Sequence, residues 1–298
     1  MQVGRINTSV NNDLENVVKV KKCGNIVEVI CNNQKAKGGS VKKLNDDYYI
    51  DVKSGEVKAF EKISSREDFK IGVARSLQLG RDIINTNVTD VSKCRWLTLT
   101  YAENMTDTKK LQKDFENFVS ACRKKYGKFE YITCAEPQGR GAWHTHSILI
   151  FDKKAPFMSN DDVYNLWAKK GFVSIKKLDN VDNVGVYLTA YLGDMSLTDC
   201  KKNGIKYQKS DLKDIEIDGK SKKYVKGARL SMYPPKFHIF RYSKGIKKPT
   251  VYECTYQQAL NDLQDFNKTF EKTLFLKDDK TDFKNVITYE YFKKEVIK

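Results

Sequence analysis

Two alternating apolar segments with a very short connection place the strongest constraint on the fold of this chain. FEYITCAE (129–136) and AWHTHSILIF (142–151) have the period of strands, and only PQGRG lies between them. Strands joined by so short a loop pair antiparallel, because a parallel pair needs a crossover of about a dozen or more residues. The sequence therefore excludes a doubly wound parallel sheet for this region.

The segments around this hairpin predict further strands and helices. CRWLTLTY (94–101) and FVSIKKL (172–178) alternate as strands do, and apolar residues at helical spacing predict helices over 106–127, 159–171 and 182–194. The resulting order predicts an α+β fold whose central antiparallel sheet has the order βαββαβα.

The two ends of the chain differ from this centre. Residues 1–90 are predicted to form short strands, a hairpin at Ser54-Gly55 and a helix at about 65–85. The last part is predicted to be a basic segment, an amphipathic helix over TYQQALNDLQDFNKTFEKTLFL (255–276) and a poorly ordered tail. We thus predict three regions, namely 1–90, 91–200 and 201–298.

Positive charge is concentrated in one part of the chain. Lysine and arginine number 54 against 38 acidic residues, a net charge of +16, and residues 201–248 alone hold 15 cations and 4 anions. A coding bias toward lysine would not gather the excess in this way, so the stretch predicts a surface for nucleic-acid phosphates, with a solvated loop as the alternative. Its expected DNA contacts are Arg229, Lys236, Arg241, Lys244, Lys247 and Lys248.

Aromatic residues are interleaved with these cations. They fit base stacking in single-strand binding and the core of a small second domain equally well. They are Tyr207, Tyr224, Tyr233, Phe237, Phe240 and Tyr242.

Export and membrane insertion are not expected. No run approaches the ~18 apolar residues of a membrane span, and the N-terminus lacks the layout of a secretory signal. The seven cysteines never form CxxC, which argues against disulfides and a thiolate zinc cluster. We expect a protein of the reducing cytoplasm with no membrane partner.

Two of the three histidines lie two residues apart on a predicted strand. His144 and His146 should therefore point to the same face. The short hairpin can bring Glu136 beside them, giving a His, His, Glu set suited to Mn²⁺ or Mg²⁺. Buried structural histidines and an ordinary strand-end carboxylate are the alternative.

Tyr187 and Tyr191 lie four residues apart on the last predicted helix and hence on one side of it. They are either core residues or a pair of phenols presented to a phosphate as nucleophiles.

Four segments, over about residues 92–250, resemble the HUH endonucleases that initiate rolling-circle replication in bacterial plasmids, phages and integrative elements. CRWLTLTYAENMTD is similar to the first motif of that family, YITCAEPQGRGAWHTHSILIF to its metal motif, DNVGVYLTAYLGDM to its tyrosine helix and YPPKFHIFRYSKGIKKP to its basic segment. The resemblance implies that Glu136, His144 and His146 hold a divalent metal and that Tyr187 and Tyr191 are the nucleophiles. Residues 91–200 would be the endonuclease domain.

The resemblance further implies a replication initiator that nicks and rejoins single-stranded or hairpin origin DNA through a 5′-phosphotyrosine. Thr98 and Thr100 are expected to face this DNA. The chain has no phosphate-binding loop of the GxxxxGK[ST] type, so a host helicase is the expected partner for unwinding.

The sequence departs from the family pattern at two points. Thr145 stands between the histidines, where relatives carry a bulky apolar residue. The lysine that many relatives carry three residues after a tyrosine is absent, because Ala190 and Asp194 occupy those positions. Candidates to supply its charge are Arg140, Lys201 and Lys202.

Other functions stay open at this point. A relaxase or a tyrosine transposase of the same superfamily would use the same chemistry, although relaxases usually place the tyrosine before the histidines. A basic, non-catalytic DNA-binding regulator would need neither metal nor nucleophile.

Overall fold

The structure, a computed structural model, describes residues 2–6, 13–34, 41–45, 47–52, 54–60, 70–178, 193–217, 220–234, 237–277 and 284–294. The chain divides into two compact units, residues 1–63 with 249–298 and residues 64–248. Within the described ranges every strand pairing is antiparallel and five α-helices are present. The predicted α+β class with an antiparallel sheet is confirmed.

The first unit is built on a six-stranded sheet. Its strands are β1 (Gln2–Ile6), β2 (Val17–Cys23), β3 (Ile26–Asn32), β15 (Thr250–Thr255), β16 (Phe266–Lys277) and β17 (Lys284–Lys294), in the spatial order β1-β16-β17-β3-β2-β15. A small sheet adds β4 (Val41–Lys43), β5 (Tyr48–Asp51) and β6 (Val57–Ala59). The hairpin predicted at Ser54-Gly55 joins β5 to β6, and Gly55 has the left-handed φ of 71° that favours glycine.

The predicted C-terminal helix and tail are wrong for most of their length. Only Tyr256–Asn261 is helical (α5), while β16 and β17 form a long antiparallel pair. The apolar residues of the segment also fit a strand, and backbone pairing of β16 with β1 and β17 decides the outcome. The segment 284–294, predicted to be poorly ordered, is an inner strand of the sheet.

The second unit contains the sheet that carries the predicted metal residues. Its strands are β7 (Cys94–Leu99), β8 (Phe129–Pro137), β9 (Trp143–Phe151), β10 (Val173–Lys177) and β14 (Phe240–Tyr242), in the spatial order β10-β7-β9-β8-β14. The helices of this region are α1 (Lys70–Asn87), α2 (Thr108–Tyr126) and α3 (Asn160–Leu166). From β7 to β10 the order is strand, helix, strand, strand, helix, strand. The final helix predicted at 182–194 lies almost entirely outside the described residues.

Helix α2 shows why the sequence builds this layer. Asp107 caps its first turn by accepting from Lys109 N, and Gly127 ends it with a φ of 86°. Its apolar stripe is buried in the core, and the Phe115 ring meets Tyr131 of β8 edge-on. Because Tyr131 and Glu136 differ by an odd number of residues on β8, α2 covers the face opposite to Glu136.

Helix α3 ends earlier than predicted. It stops at Leu166, because Ala168 and Lys169 adopt left-handed φ angles of 52° and 55°. The helix α4 (Leu197–Lys202) and a three-stranded sheet complete the unit. The strands of this sheet are β11 (Met195–Ser196), β12 (Leu212–Ile217) and β13 (Lys220–Val225), in the spatial order β11-β13-β12.

All seven cysteines are free. Among the described helices, none is both long enough and apolar enough to cross a membrane.

Candidate metal centre

The β8–β9 hairpin brings the three predicted metal residues together. Glu136 is the register partner of His144, and His146 lies opposite Cys134, so all three side chains emerge on one face. The connection is tight: Gln138 N donates to Ala142 O, and Gly141 N donates to Gln138 O. Gly141 has a φ of 89°, which a residue with a side chain rarely adopts.

The three side chains converge on one carboxylate oxygen. Nε2 of His144 lies 3.2 Å and Nε2 of His146 lies 3.6 Å from Oε2 of Glu136. One ligand atom from each residue falls within a cluster of 4.8 Å. Only 8% of the Glu136 side chain is exposed, against 16% and 23% for the two imidazoles. The centre is thus shielded on the carboxylate side and accessible beside the histidines.

Neighbouring polar groups orient both imidazole rings. Nδ1 of His146 lies 3.1 Å from Thr98 Oγ1 on β7, and Nδ1 of His144 lies 3.4 Å from Gln138 Nε2 in the hairpin loop. Both Nε2 atoms are thereby left facing Glu136. A hydrogen bond at the second ring nitrogen is a usual feature of metal-binding histidines, because it fixes the ring and the tautomer.

The electrostatics of the cluster favour the protonation states that bind metals. Burial raises the pKa of Glu136, but the His144 imidazole and the Arg229 guanidinium together lower it more, so the carboxyl group is ionised at neutral pH. Burial, and then the neighbouring His144, lower the pKa of His146 to about 4. The centre therefore presents a carboxylate and a neutral His146.

Arg229 occupies a place that the sequence did not reveal. It was predicted to contact DNA, but the structure directs its guanidinium into the centre, where Nη1 lies 2.7 Å from Oε1 of Glu136. The same nitrogen donates to Pro137 O at 2.6 Å. The two carboxylate oxygens of Glu136 are thus divided, one facing Arg229 and the other facing the histidines.

The residues present fit a divalent metal ion. Nε2 of His144 is buried without a hydrogen-bond partner, although it lies near the carboxylate. A buried polar atom of this kind requires an explanation, and coordination of a cation supplies one. Two imidazoles and one carboxylate favour a transition ion such as Mn²⁺ over Mg²⁺, which prefers oxygen ligands.

The space behind the metal strand reflects the unusual residue between the histidines. Thr145 is 3% exposed, and its Oγ1 has no hydrogen-bond partner. It lines a cavity of about 240 Å³ between α2 and the segment 237–242. The sheet face opposite to the metal residues is therefore less tightly filled at Thr145.

The proposed nucleophiles, Tyr187 and Tyr191, lie outside the described residues, and so does Lys236. Of the residues expected near DNA, Thr98 contacts His146, and Thr100 Oγ1 donates to Phe172 O. Arg140 donates to the carbonyl oxygens of Tyr101 and Ala102. Arg241 is half-buried beside the Phe237 ring, and the remaining cations are exposed, namely Lys201, Lys202, Lys244, Lys247 and Lys248.

The aromatic residues of the basic stretch divide between the two interpretations. Tyr233 and Phe237 are 1% and 8% exposed and belong to the main core. Tyr207 and Tyr242 are 36% and 40% exposed. The core explanation therefore holds for the first pair, whereas the second pair is accessible for stacking.

Sequence reasoning missed Gln138 and Arg229 as parts of the centre. Gln138 carried a local signal, since it lies two residues after Glu136 in the same short hairpin. Arg229 carried none, because it follows Glu136 by more than 90 residues.

Comparison with known proteins agrees with this geometry. Residues 94–196 match the family described as replication-associated protein ORF2. The matched segment covers about one third of the chain, contains all three side chains of the cluster, and includes Tyr187 and Tyr191. It supports a place among replication initiator proteins. No curated protein and no solved structure shows significant similarity to the chain.

Proposed function

We propose that this protein is a replication initiator that nicks and rejoins single-stranded origin DNA and so starts rolling-circle replication. The observation that carries the proposal is the convergence of Glu136, His144 and His146 on one sheet face. Its support is the match of the surrounding segment to the replication-associated family. We infer that the protein is a metal-dependent DNA endonuclease and strand transferase of the HUH type.

The chemistry assigns distinct tasks to the residues. A divalent cation at Glu136, His144 and His146 would withdraw negative charge from the scissile phosphate. Thr98 and Gln138 hold the imidazoles in place. The accessible side of the centre, beside the two partly exposed imidazoles, is where we place the DNA backbone.

Tyr187 or Tyr191 is the proposed nucleophile. The phenol gives up its proton, its oxygen bonds to phosphorus, and the bond to the 3′ oxygen breaks. The 5′ phosphate remains attached to tyrosine and the released 3′ hydroxyl primes synthesis. Reversal of the same exchange rejoins the strand without ATP.

Single-stranded or extruded hairpin DNA is the proposed substrate, because a paired and stacked backbone is poorly accessible to a side chain. The exposed cations Lys244, Lys247 and Lys248 would contact its phosphates. A host helicase would unwind the duplex.

Detection of a covalent protein–DNA adduct tests the proposal. The protein is incubated with Mn²⁺ and pooled single-stranded oligonucleotides from the flanking DNA, and adducts are resolved on denaturing gels. We expect an adduct that disappears in the Tyr187→Phe, Tyr191→Phe double variant and in Glu136→Gln. Tyr164→Phe, a change at a part-exposed helical tyrosine of the same unit, should retain it.

Absence of an adduct with every origin sequence would overturn the proposal. A basic, non-catalytic DNA-binding regulator would then be the better assignment.

A further inference from the structure

Arg229 connects three separate segments of the second unit. Its Nη1 contacts Oε1 of Glu136 at 2.7 Å and the carbonyl oxygen of Pro137 at 2.6 Å. Its Nε donates to Asp194 O at 2.9 Å, and its backbone N donates to Gly193 O at 3.0 Å. Only 11% of the side chain is exposed. A single buried arginine thus joins the metal carboxylate to residues 193–194.

Residues 193–194 are also held from their other side. The Asp194 carboxylate accepts a hydrogen bond from Gly227 N at 2.9 Å and pairs with Lys213. Gly227 has a left-handed φ of 72°, and it directly precedes the 3-10 turn Ala228–Met232 that carries Arg229. We call the contacts of residues 193–194 with Gly227 and Arg229 the arginine clamp.

The clamp lies next to the segment that carries the proposed nucleophiles. Tyr191 precedes Gly193 by two residues, and two residues span at most about 7 Å of chain. The clamp therefore limits how far Tyr191 can lie from Glu136. The Glu136 oxygen that does not meet Arg229 is the one that faces both histidines.

We propose that Arg229 is a positioning residue that fixes the C-terminal end of the tyrosine segment relative to the metal carboxylate. This inference rests on the proposed function for its catalytic consequence. The clamp itself is a property of the metal-free protein.

The geometry requires arginine rather than a positive charge alone. Nε and Nη1 donate in different directions, one to Asp194 O and the other to Pro137 O. Lysine ends in one nitrogen on a flexible stem and cannot reproduce a rigid fork. Arg229→Lys should keep the charge near Glu136 but release the clamp.

The first measurement is hydrogen exchange of the metal-free protein. In Arg229→Lys and Arg229→Gln, amides of the peptide 225–232 should exchange about 10-fold faster or more, because Gly227 N and Arg229 N donate across the clamp. Unchanged exchange in both variants would overturn the clamp, whatever the enzyme does with DNA.

The second measurement is the rate of adduct formation at saturating oligonucleotide with Mn²⁺. We expect both variants to slow this rate about 100-fold, as misplacement by ~1 Å can, with the Kd for DNA within about threefold of the original. Full activity of Arg229→Lys would show that charge alone is needed and would overturn the positioning role. Lack of an adduct with the unmodified protein would instead count against the proposed function.

Arg95→Gln is the matched control. Arg95 is 8% exposed and donates to three carbonyl groups, those of Cys94, Ala155 and Pro156, on the strand β7. Its loss should lower stability but leave the adduct rate within about threefold. An equal loss of rate would attribute the Arg229 effect to general destabilisation and overturn the inference.

Asp194→Asn tests the same clamp without removing a contact to Glu136. It weakens the pairing with Lys213 and should speed exchange in 225–232 and slow adduct formation about 10-fold. This variant decides the question if both Arg229 variants fail to fold, and unchanged exchange and rate would then overturn the inference.

Discussion

The hydroxyl oxygen of Thr98 lies 3.1 Å from Nδ1 of His146, on the neighbouring strand of the sheet. The contact holds the ring so that Nε2 faces the Glu136 carboxylate. The threonine of the alternating strand β7 is therefore part of the metal centre, in contact with a ligand rather than with the ion.

Thr98→Val should weaken Mn²⁺ binding about 10-fold or more, because loss of a partner at the second ring nitrogen typically costs that much. Calorimetric titration of the protein with Mn²⁺ measures the change. Thr100→Val is the control, since its hydroxyl bonds to Phe172 O. Equal affinity of the Thr98 variant and the original protein would contradict this role.

Mn²⁺ should stabilise the folded protein through Glu136, His144 and His146. At 100 times the Kd, the gain in unfolding free energy is about 2.7 kcal/mol. Urea unfolding with and without Mn²⁺ measures it. The gain should vanish in the His144→Ala, His146→Ala double variant and on addition of a chelator. A gain that persists in that variant would place the ion elsewhere.

The metal-free protein should lose stability in mild acid because of His146. Its pKa is lowered from 6.5 to about 4 by burial and by His144, so the unfolded chain takes up a proton that the folded chain does not. Stability is thus fully present above pH 6.5 and falls as the pH drops toward 4, with a limiting slope of about 1.4 kcal/mol per pH unit. Glu136, whose pKa is also lowered, adds to the loss only near and below its ordinary value of 4.5.

Urea unfolding between pH 7 and pH 5 in the presence of a chelator measures this slope. His146→Asn should flatten it in that range. An NMR titration that shows the His146 ring protonating near 6.5 would contradict the expectation.

Thr145→Val should stabilise the protein by about 1 kcal/mol. It replaces a buried hydroxyl that has no partner with a methyl group of the same shape, so a desolvation cost is removed. Thr133→Val is the control, because the Thr133 hydroxyl accepts from Ser147 Oγ at 2.8 Å and its loss should destabilise. Destabilisation by Thr145→Val, measured by urea unfolding, would mean that its hydroxyl is hydrogen-bonded in solution.

The local part of the site was readable from the sequence. Alternation on two strands and a five-residue loop are enough to place Glu136 opposite His144, because the side-chain period of a strand is two. Helix α2 was predicted within two residues at each end, since Asp107 and Gly127 mark its limits.

The long-range part was not readable. Nothing near Arg229 indicates that it will meet Glu136 rather than a phosphate, because the contact depends on how a distant turn returns to the sheet. The segment 255–276 failed for a related reason. Its apolar residues fit a helix, but pairing partners at both ends of the chain make most of it a strand.

The place of β17 between β16 and β3 has a consequence for synthesis on the ribosome. Every strand of the metal-bearing sheet lies between residues 94 and 242, so that sheet is fully translated long before Lys284 leaves the exit tunnel. The six-stranded sheet must wait, because its inner strand β17 is translated last. A nascent chain would hold a finished metal pocket while its first strands are still without their neighbours.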